Sequence, residues 1–374
     1  MNSLATLVPV WLFAIAATVS VIRGQEYGDV AHESLATTRH LAPIILVSGQ
    51  YENDGSELAT TTIQGSSNLS CDSLCCDSLC SSARGCDSQN KLPLWAATAD
   101  VLLLNRSDPR SAVLAFNTAN PAENLNASNF NFGVHSGFDL SLLRQMDCKN
   151  SLELRYFGID HWRETVSAAT TPGQLFQINA AVPVFTFSGS GVNADYASAL
   201  HNSEINGRHR LNECWSVLAG FRYAELNERA SASLVNSAIP FDYSASTRNR
   251  LYGFQLGTTA QLLSRSRYNL DAFGKAGIFG NSAAQNSEFS TGIVSVPANG
   301  NGSNTAFIGE LGTTGRMQWT DHLALRGGYR LLWLDGVALA SDQLAASDFA
   351  NGSGFNGSGN VFYHGAFAGI ELAY

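Results

Sequence analysis

The chain of 374 residues offers three groups of side chains able to do chemistry: two Asp-His steps, a knot of cysteines, and charges set singly into apolar runs. An Asp beside a His can serve as an acid–base pair. Asp160-His161 and Asp321-His322 both have that form. The second falls in the tight turn "TDH", where Asp is an ordinary turn former. No nucleophile elbow, metal cluster or converging carboxylate pair accompanies either step. The chain is therefore not expected to be an enzyme, no cofactor is expected, and Asp160 and His161 read as polar residues at an interface.

Seven cysteines are present. Cys71, Cys75, Cys76, Cys80 and Cys86 crowd into "CDSLCCDSLCSSARGCDSQ", a tandem of CDSLC, while Cys148 and Cys214 stand alone. Their separations are not the CxxC pairs of common zinc sites. In an exported chain disulfides are the expected fate. An odd number leaves at least one thiol over or pairing between chains. Cys148 and Cys214 lie in or beside two neighbouring tight turns, so a bond between them is one candidate.

The isolated charges are the most informative group. In "WTDHLALRGGYRLLWLDG", residues 319–336, strand geometry places Arg326 and Arg330 on one face and Leu323, Leu325, Tyr329, Leu331 and Trp333 on the other. The same pattern recurs in candidate strands at about 92–105, 131–145, 150–163, 195–211, 214–227, 248–263, 268–281, 304–319, 323–335 and 360–374. Charged residues make up only 14%, Gly is abundant (34) and Met scarce (3), which favours an all-β chain. A net charge of −9 without a basic block argues against nucleic acid as a partner.

Residues 1–25 read as an export signal, with an apolar stretch followed by small residues. Residues 26–91 read as a flexible Cys/Ser-rich periplasmic arm, and 92–374 as the folded part. Very short connections ("QMDCK", "LNE", "SRSR", "TDH") alternate with long ones rich in Gly, Asn, Ser and Pro. All long loops then fall on one edge of the sheet, and both ends of the folded part on the other.

An apolar face can be covered by a second sheet or by lipid, and three features favour lipid. The alternating runs are about eleven residues long, the length needed to cross a bilayer at a tilt. Trp95, Trp215 and Trp319 sit at the tight-turn ends of strands and Trp162 and Trp333 near the loop ends, as in two aromatic girdles. The sequence closes on "AFAGIELAY", with Tyr374 in the girdle pattern. The expected fold is an all-β transmembrane antiparallel β-barrel of about 10 strands (alternatives 8 or 12), with short periplasmic turns and long extracellular loops. Because a charge on the lipid face costs ~2–4 kcal/mol at mid-bilayer, Glu153, Arg155, Asn206, Arg208, Arg210, Arg222, Asp271, Lys275, Glu310, Arg316, Arg326, Arg330 and Glu371 are expected to line the lumen.

The stretches "YASALHNSEINGRHRLNECWSVLAGFRYAELNER", "NRLYGFQLGTTAQLLSRSRYNLDAFGKAGIFGN" and "LGTTGRMQWTDHLALRGGYRLLWLDGVALASDQL" resemble the β-barrel porin family of planctomycete outer-membrane proteins. The resemblance spans most of residues 92–374 and leaves the CDSLC tandem outside. It implies an exported barrel in the bacterial outer membrane, and it supplies no catalytic motif.

About ten strands lie near the closed end of the range of barrel widths. The expected function is a narrow or gated porin-like channel for small solutes. The alternative is a closed barrel acting as envelope anchor or surface adhesin through its extracellular loops. Expected partners are outer-membrane lipid, the barrel-assembly machinery that reads a C-terminal strand and, for a pore, small solutes.

Overall fold

Strict alternation of side chains, sustained over ten segments, can bury its backbone polar groups only if the sheet closes on itself. The computed structural model describes residues 93–109, 112–180 and 185–374. The export signal, the arm and Cys71, Cys75, Cys76, Cys80 and Cys86 lie outside the described residues. In chain order the strands are β1 (Trp95–Arg106), β2 (Val113–Asn117), β3 (Leu125–Asn126), β4 (Val134–Gln145), β5 (Asn150–Ala169), β6 (Phe176–Ala180), β7 (Phe185–Gly189), β8 (Gly191–Arg210), β9 (Trp215–Val235), β10 (Asp242–Ser264), β11 (Tyr268–Ser290), β12 (Ser295–Gln318), β13 (Leu323–Val337) and β14 (Gly359–Ala373).

Ten of them form a closed antiparallel barrel in the order β1-β14-β13-β12-β11-β10-β9-β8-β5-β4, and β1 completes the ring by pairing with β4. Each expected segment is one barrel strand. The ends meet at the tight-turn edge, where the Trp95 N–H donates to the Tyr374 carbonyl and the Tyr374 N–H to the Trp95 carbonyl, both at 2.8 Å. The short strands β3, β2, β6 and β7 pair in that order within the loop regions. This second sheet was not expected.

Two of the long connections turn out to be strand rather than loop. β8 to β12 run for 20 to 24 residues, far beyond the ~9–11 that cross a bilayer. The sorting of side chains inverts along them. On the tight-turn half of β10 the outward residues are Leu256, Phe254 and Tyr252, and Gln255 points in; Phe254 is 77% exposed and Leu256 70%. On the loop half the outward residues are Ser244, Ser246 and Arg248, and Tyr243, Ala245 and Thr247 are buried. Neighbouring strands change over at the same register, His201 and Arg250 both lying opposite Glu225. Below that line the wall is apolar outside; above it the wall is apolar inside, as in a water-soluble sheet.

The apolar belt carries Val101, Leu103, Phe138, Leu140, Leu154, Ile205, Phe221, Ile278 and Leu311. At its tight-turn rim Trp95, Trp215, Trp319, Tyr268 and Tyr374 are exposed. Tyr374 stacks on His322 at 4.9 Å, and the His322 Nδ1 lies 2.9 Å from the Ala373 carbonyl. Trp333 points outward near the other rim and lies flat over Gly309, where a Cβ would come within 2.1 Å of its ring.

Trp162 departs from the expected girdle. A register shift between Ile159 and Trp162 reverses the parity of β5, so Trp162 faces inward opposite Ser198 and is 0% exposed. It packs 5.2 Å from Tyr363 and 6.0 Å from His135. The single extra residue of the irregularity moves the indole from the lipid side to the core.

If the belt meets lipid, Leu256→Arg lowers stability in a bilayer by about 2–4 kcal/mol, whereas Ser246→Arg, on the same face of β10 above the changeover, shifts it by less than about 0.5 kcal/mol. Urea titration of the vesicle-inserted protein measures both.

Candidate functional site in the barrel interior

Residues excluded from the outer face must find partners inside. Asp139 on β4, Glu204 on β8 and Glu310 on β12 face Arg155 on β5, Arg222 on β9, Lys275 on β11 and Arg330 on β13. Arg155 reaches Asp139 at 2.8 Å, Glu204 at 3.0 Å and Glu310 at 3.0 Å. Lys275 lies 2.8 Å from Glu204, Arg222 3.2 Å from Glu310 and Arg330 2.7 Å from Asp139. None of these seven side chains is more than 7% exposed. Their cross-barrel reach is long because seven different strands contribute.

Neutral amides complete the lattice. Asn206 donates to Glu153 at 3.1 Å and to Glu204 at 3.0 Å, and its Oδ1 accepts from Gln255 at 2.8 Å. Arg222 Nε donates to the Asn202 Oδ1. Phe157 stands in the middle, with the guanidinium carbons of Arg155, Arg330 and Arg222 at 5.0, 5.6 and 5.9 Å from its ring centre. Arg330 Nε and Glu310 Oε1 lie 3.2 Å apart without hydrogen-bond alignment, so that contact is Coulombic alone.

Toward the tight turns the pairs loosen. Arg208 binds Glu153 at 2.9 Å, Arg326 lies 3.4 Å from Asp100, and Arg316 binds Glu371 at 3.1 Å, with Arg208 and Arg316 25% and 30% exposed. Asp271 is half-buried in register with Thr314, and Arg210 is exposed at the end of β8. Outside the membrane, the Asn150 side chain and then the amides of Lys149 and Asn150 hold the Asp147 carboxyl below its ordinary value.

Toward the loops the interior becomes apolar. Leu102, Leu104, Ile159, Leu226, Leu251, Phe279, Ile308, Leu332 and Tyr363 are buried there. One further ion pair, Arg106 with Glu228, sits above them, capped by Phe132 and Tyr196; the Tyr196 hydroxyl donates to Glu228 at 2.5 Å and the Ala340 N–H at 3.1 Å. The 338–358 segment turns into the barrel instead of standing out as a loop. Asn249 holds it through the Ala338 N–H and carbonyl at 2.7 and 2.8 Å, and Gln343, in the helical turn α1 (Gln343–Ala346), donates to the Leu339 and Asn356 carbonyls. Phe349 then stacks edge-on against Phe289 at 5.0 Å.

Residues that parity reading passed over thus belong to the site: Asp100, Asp139, Glu204 and Gln255. Asp139 stands opposite in parity to Phe138, Leu140 and Leu142, so the signal was present. Glu228 and Gln343 carry none, because they fall outside the expected strands, whereas Asn249, inside the expected 248–263 strand, shares the inward parity of Leu251 and Gln255.

Asp160 pairs with His201, whose Nε2 lies 3.0 Å away, and Tyr156 meets the other ring nitrogen at 2.9 Å; the His161 side chain lies outside the described residues. Cys148 is disulfide-bonded, while Cys214 carries a thiol, so the candidate bond between those two is not formed. The two turns bring their backbones near, but thiols must also point at each other. Among the described residues no group of three or more His, Cys, Asp or Glu side chains could hold a metal ion.

No family model and no curated protein matches the chain. Solved structures of similar shape include the outer membrane protease OmpT from Escherichia coli, at 10% identity over 77% of this chain and 99% of that chain, with a TM-score of 0.44. The Ralstonia pickettii toluene transporter TbuX is 7% identical over 76% and 90% of the two chains with a TM-score of 0.31, and a Pseudomonas aeruginosa FadL homologue 9% identical over 76% and 90% with 0.27. These neighbours are outer-membrane β-barrel proteins, and at such scores the likeness carries no inference about activity.

Glu310→Gln removes one charge from between Arg155, Arg222 and Arg330 and is expected to destabilise the folded barrel by about 3–5 kcal/mol, as loss of one partner of a buried pair does. Equilibrium unfolding in detergent micelles measures it. In peptide mapping without reductant, Cys214→Ser is expected to leave the Cys148 cross-link intact.

Proposed function

We propose that this chain is an outer-membrane protein with a sealed barrel, which anchors an extracellular wall and a small sheet to the bacterial envelope as a scaffold or adhesin. The sealing carries the reading. A water-filled channel needs an interior wetted from end to end. Here a dry ionic lattice crosses the barrel and an apolar layer, closed by the 338–358 segment, lies above it. The presented surface is the loop half of β8 to β12, polar outside, together with the sheet of β2, β3, β6 and β7.

The partners that follow are outer-membrane lipid around the apolar belt and assembly machinery engaging the last strand. No catalytic step is assigned, and the resemblance to planctomycete porins enters as part of this reading. Solute passage would require the lattice to open.

Planar-bilayer recording tests the proposal. Protein shown to be folded by its heat-modifiable gel mobility is expected to give no conductance steps. Regular steps from the folded wild type would replace the sealed scaffold by a gated channel.

A further inference from the structure

Below the lattice the interior opens, at the tight-turn end, into a cavity of about 290 Å³ whose lining includes Gln145, Lys149, Arg208, Arg210, Arg316 and Glu371. That is near the lower end of the ~300–1,000 Å³ of small-molecule sites. Its charges are sorted by depth. Glu153, one inward position above Ser151 on β5, takes Arg208; Glu371 takes Arg316; Asp271 lies one inward position above Asn269, the residue opposite Arg316. Lys149 and Arg210 are exposed at the open side and have no carboxylate partner among the described residues. Asp147, in the same turn as Lys149, is occupied with the Asn150 side chain at 2.7 Å and with two backbone N–H groups at 2.8 Å.

A second observation concerns Arg316. Its Nη2 serves Gln318 at 3.0 Å and Glu371 at 3.1 Å, while its Nε is buried with no hydrogen-bond partner among the described residues. A donor buried without a partner is costly, so the Arg316 guanidinium, part of which is exposed where it lines the cavity, is incompletely satisfied by the protein. Four cations, Lys149, Arg208, Arg210 and Arg316, therefore stand over three carboxylates that lie deeper or are already bound. Guanidinium forks with a spare donor match oxyanions, which accept two bonds from one fork.

We infer that this tight-turn mouth is a binding site for a small multivalent oxyanion of the phosphate or carboxylate type, held by Lys149 and Arg210 at the rim and Arg208 and Arg316 on the wall. The site depends on the barrel fold and not on the sealed interior. Charge is its main source of affinity, so binding weakens as salt rises.

Calorimetric titration of the folded protein in zwitterionic detergent at low salt, with inorganic pyrophosphate and with succinate as probes, tests this. Saturable one-to-one binding of at least one probe is expected, weakened at least tenfold in Lys149→Gln/Arg210→Gln and unchanged in Arg229→Gln on the far wall. Both rim residues are exposed and outside the lattice, and gel mobility checks that the variant folds. A preference for pyrophosphate assigns a phosphate ligand, and one for succinate a carboxylate. Absence of saturable binding by either probe, equal affinity in the double variant, or an equal loss in Arg229→Gln would overturn the site.

Discussion

Keeping charge out of hydrocarbon is the constraint on which this molecule rests. The crossing strands present apolar side chains outward along their lower half. Outward ionisable groups such as Arg144, which lies over Trp95, are therefore confined to the rim, and those within the apolar belt must turn inward. A ten-stranded barrel leaves too little space for those groups to stay hydrated. They must then satisfy one another, and Asp139, Glu153, Glu204 and Glu310 do so against Arg155, Arg222, Lys275 and Arg330. Such a lattice adds little net stability over apolar packing, but removing any one member is expensive. It ties seven strands together across the middle of the barrel.

Above the changeover at His201, Glu225 and Arg250 the solvent changes and so does the sorting. Water outside calls for Ser, Asn and Asp on the outer face, and the interior can fill with Ala, Leu, Phe and Tyr like any soluble core. One continuous ribbon thus obeys two rules in sequence, and the residue at which it switches marks the boundary. Tyr156, Tyr223 and Tyr252 cluster on the outer face near that line. Tyr223 reaches Glu225 with its hydroxyl, as an amphipathic ring at an interface should.

The lower half was readable because its outer face is apolar and its inner face is not, a contrast that parity alone detects. Ten strands, their antiparallel order and the joining of both ends follow from it. The upper half was not readable by the same means. In "ERASASLVNSAIPFDYSASTRNR" small Ala and Ser alternate at 230–233 and 244–246, inward and outward respectively, so period-two contrast there is low and composition mimics a loop, although β9 and β10 run through it. Trp162 escapes the parity pattern for a different reason. Parity counted from Phe157 fails once an extra residue enters before position 162. The inward-turned 338–358 segment depends on contacts made by Asn249 and Glu228 from distant strands, and no local pattern announces such contacts.

The most direct test of the account is which side of the wall each indole occupies. In proteins keeping one tryptophan at a time, reconstituted in bilayers of brominated lipid, Trp215 fluorescence is predicted to be strongly quenched and Trp162 fluorescence to be as bright as in unbrominated lipid. Quenching of Trp162 by lipid with Trp215 untouched would mean that the inner and outer faces have been assigned the wrong way round.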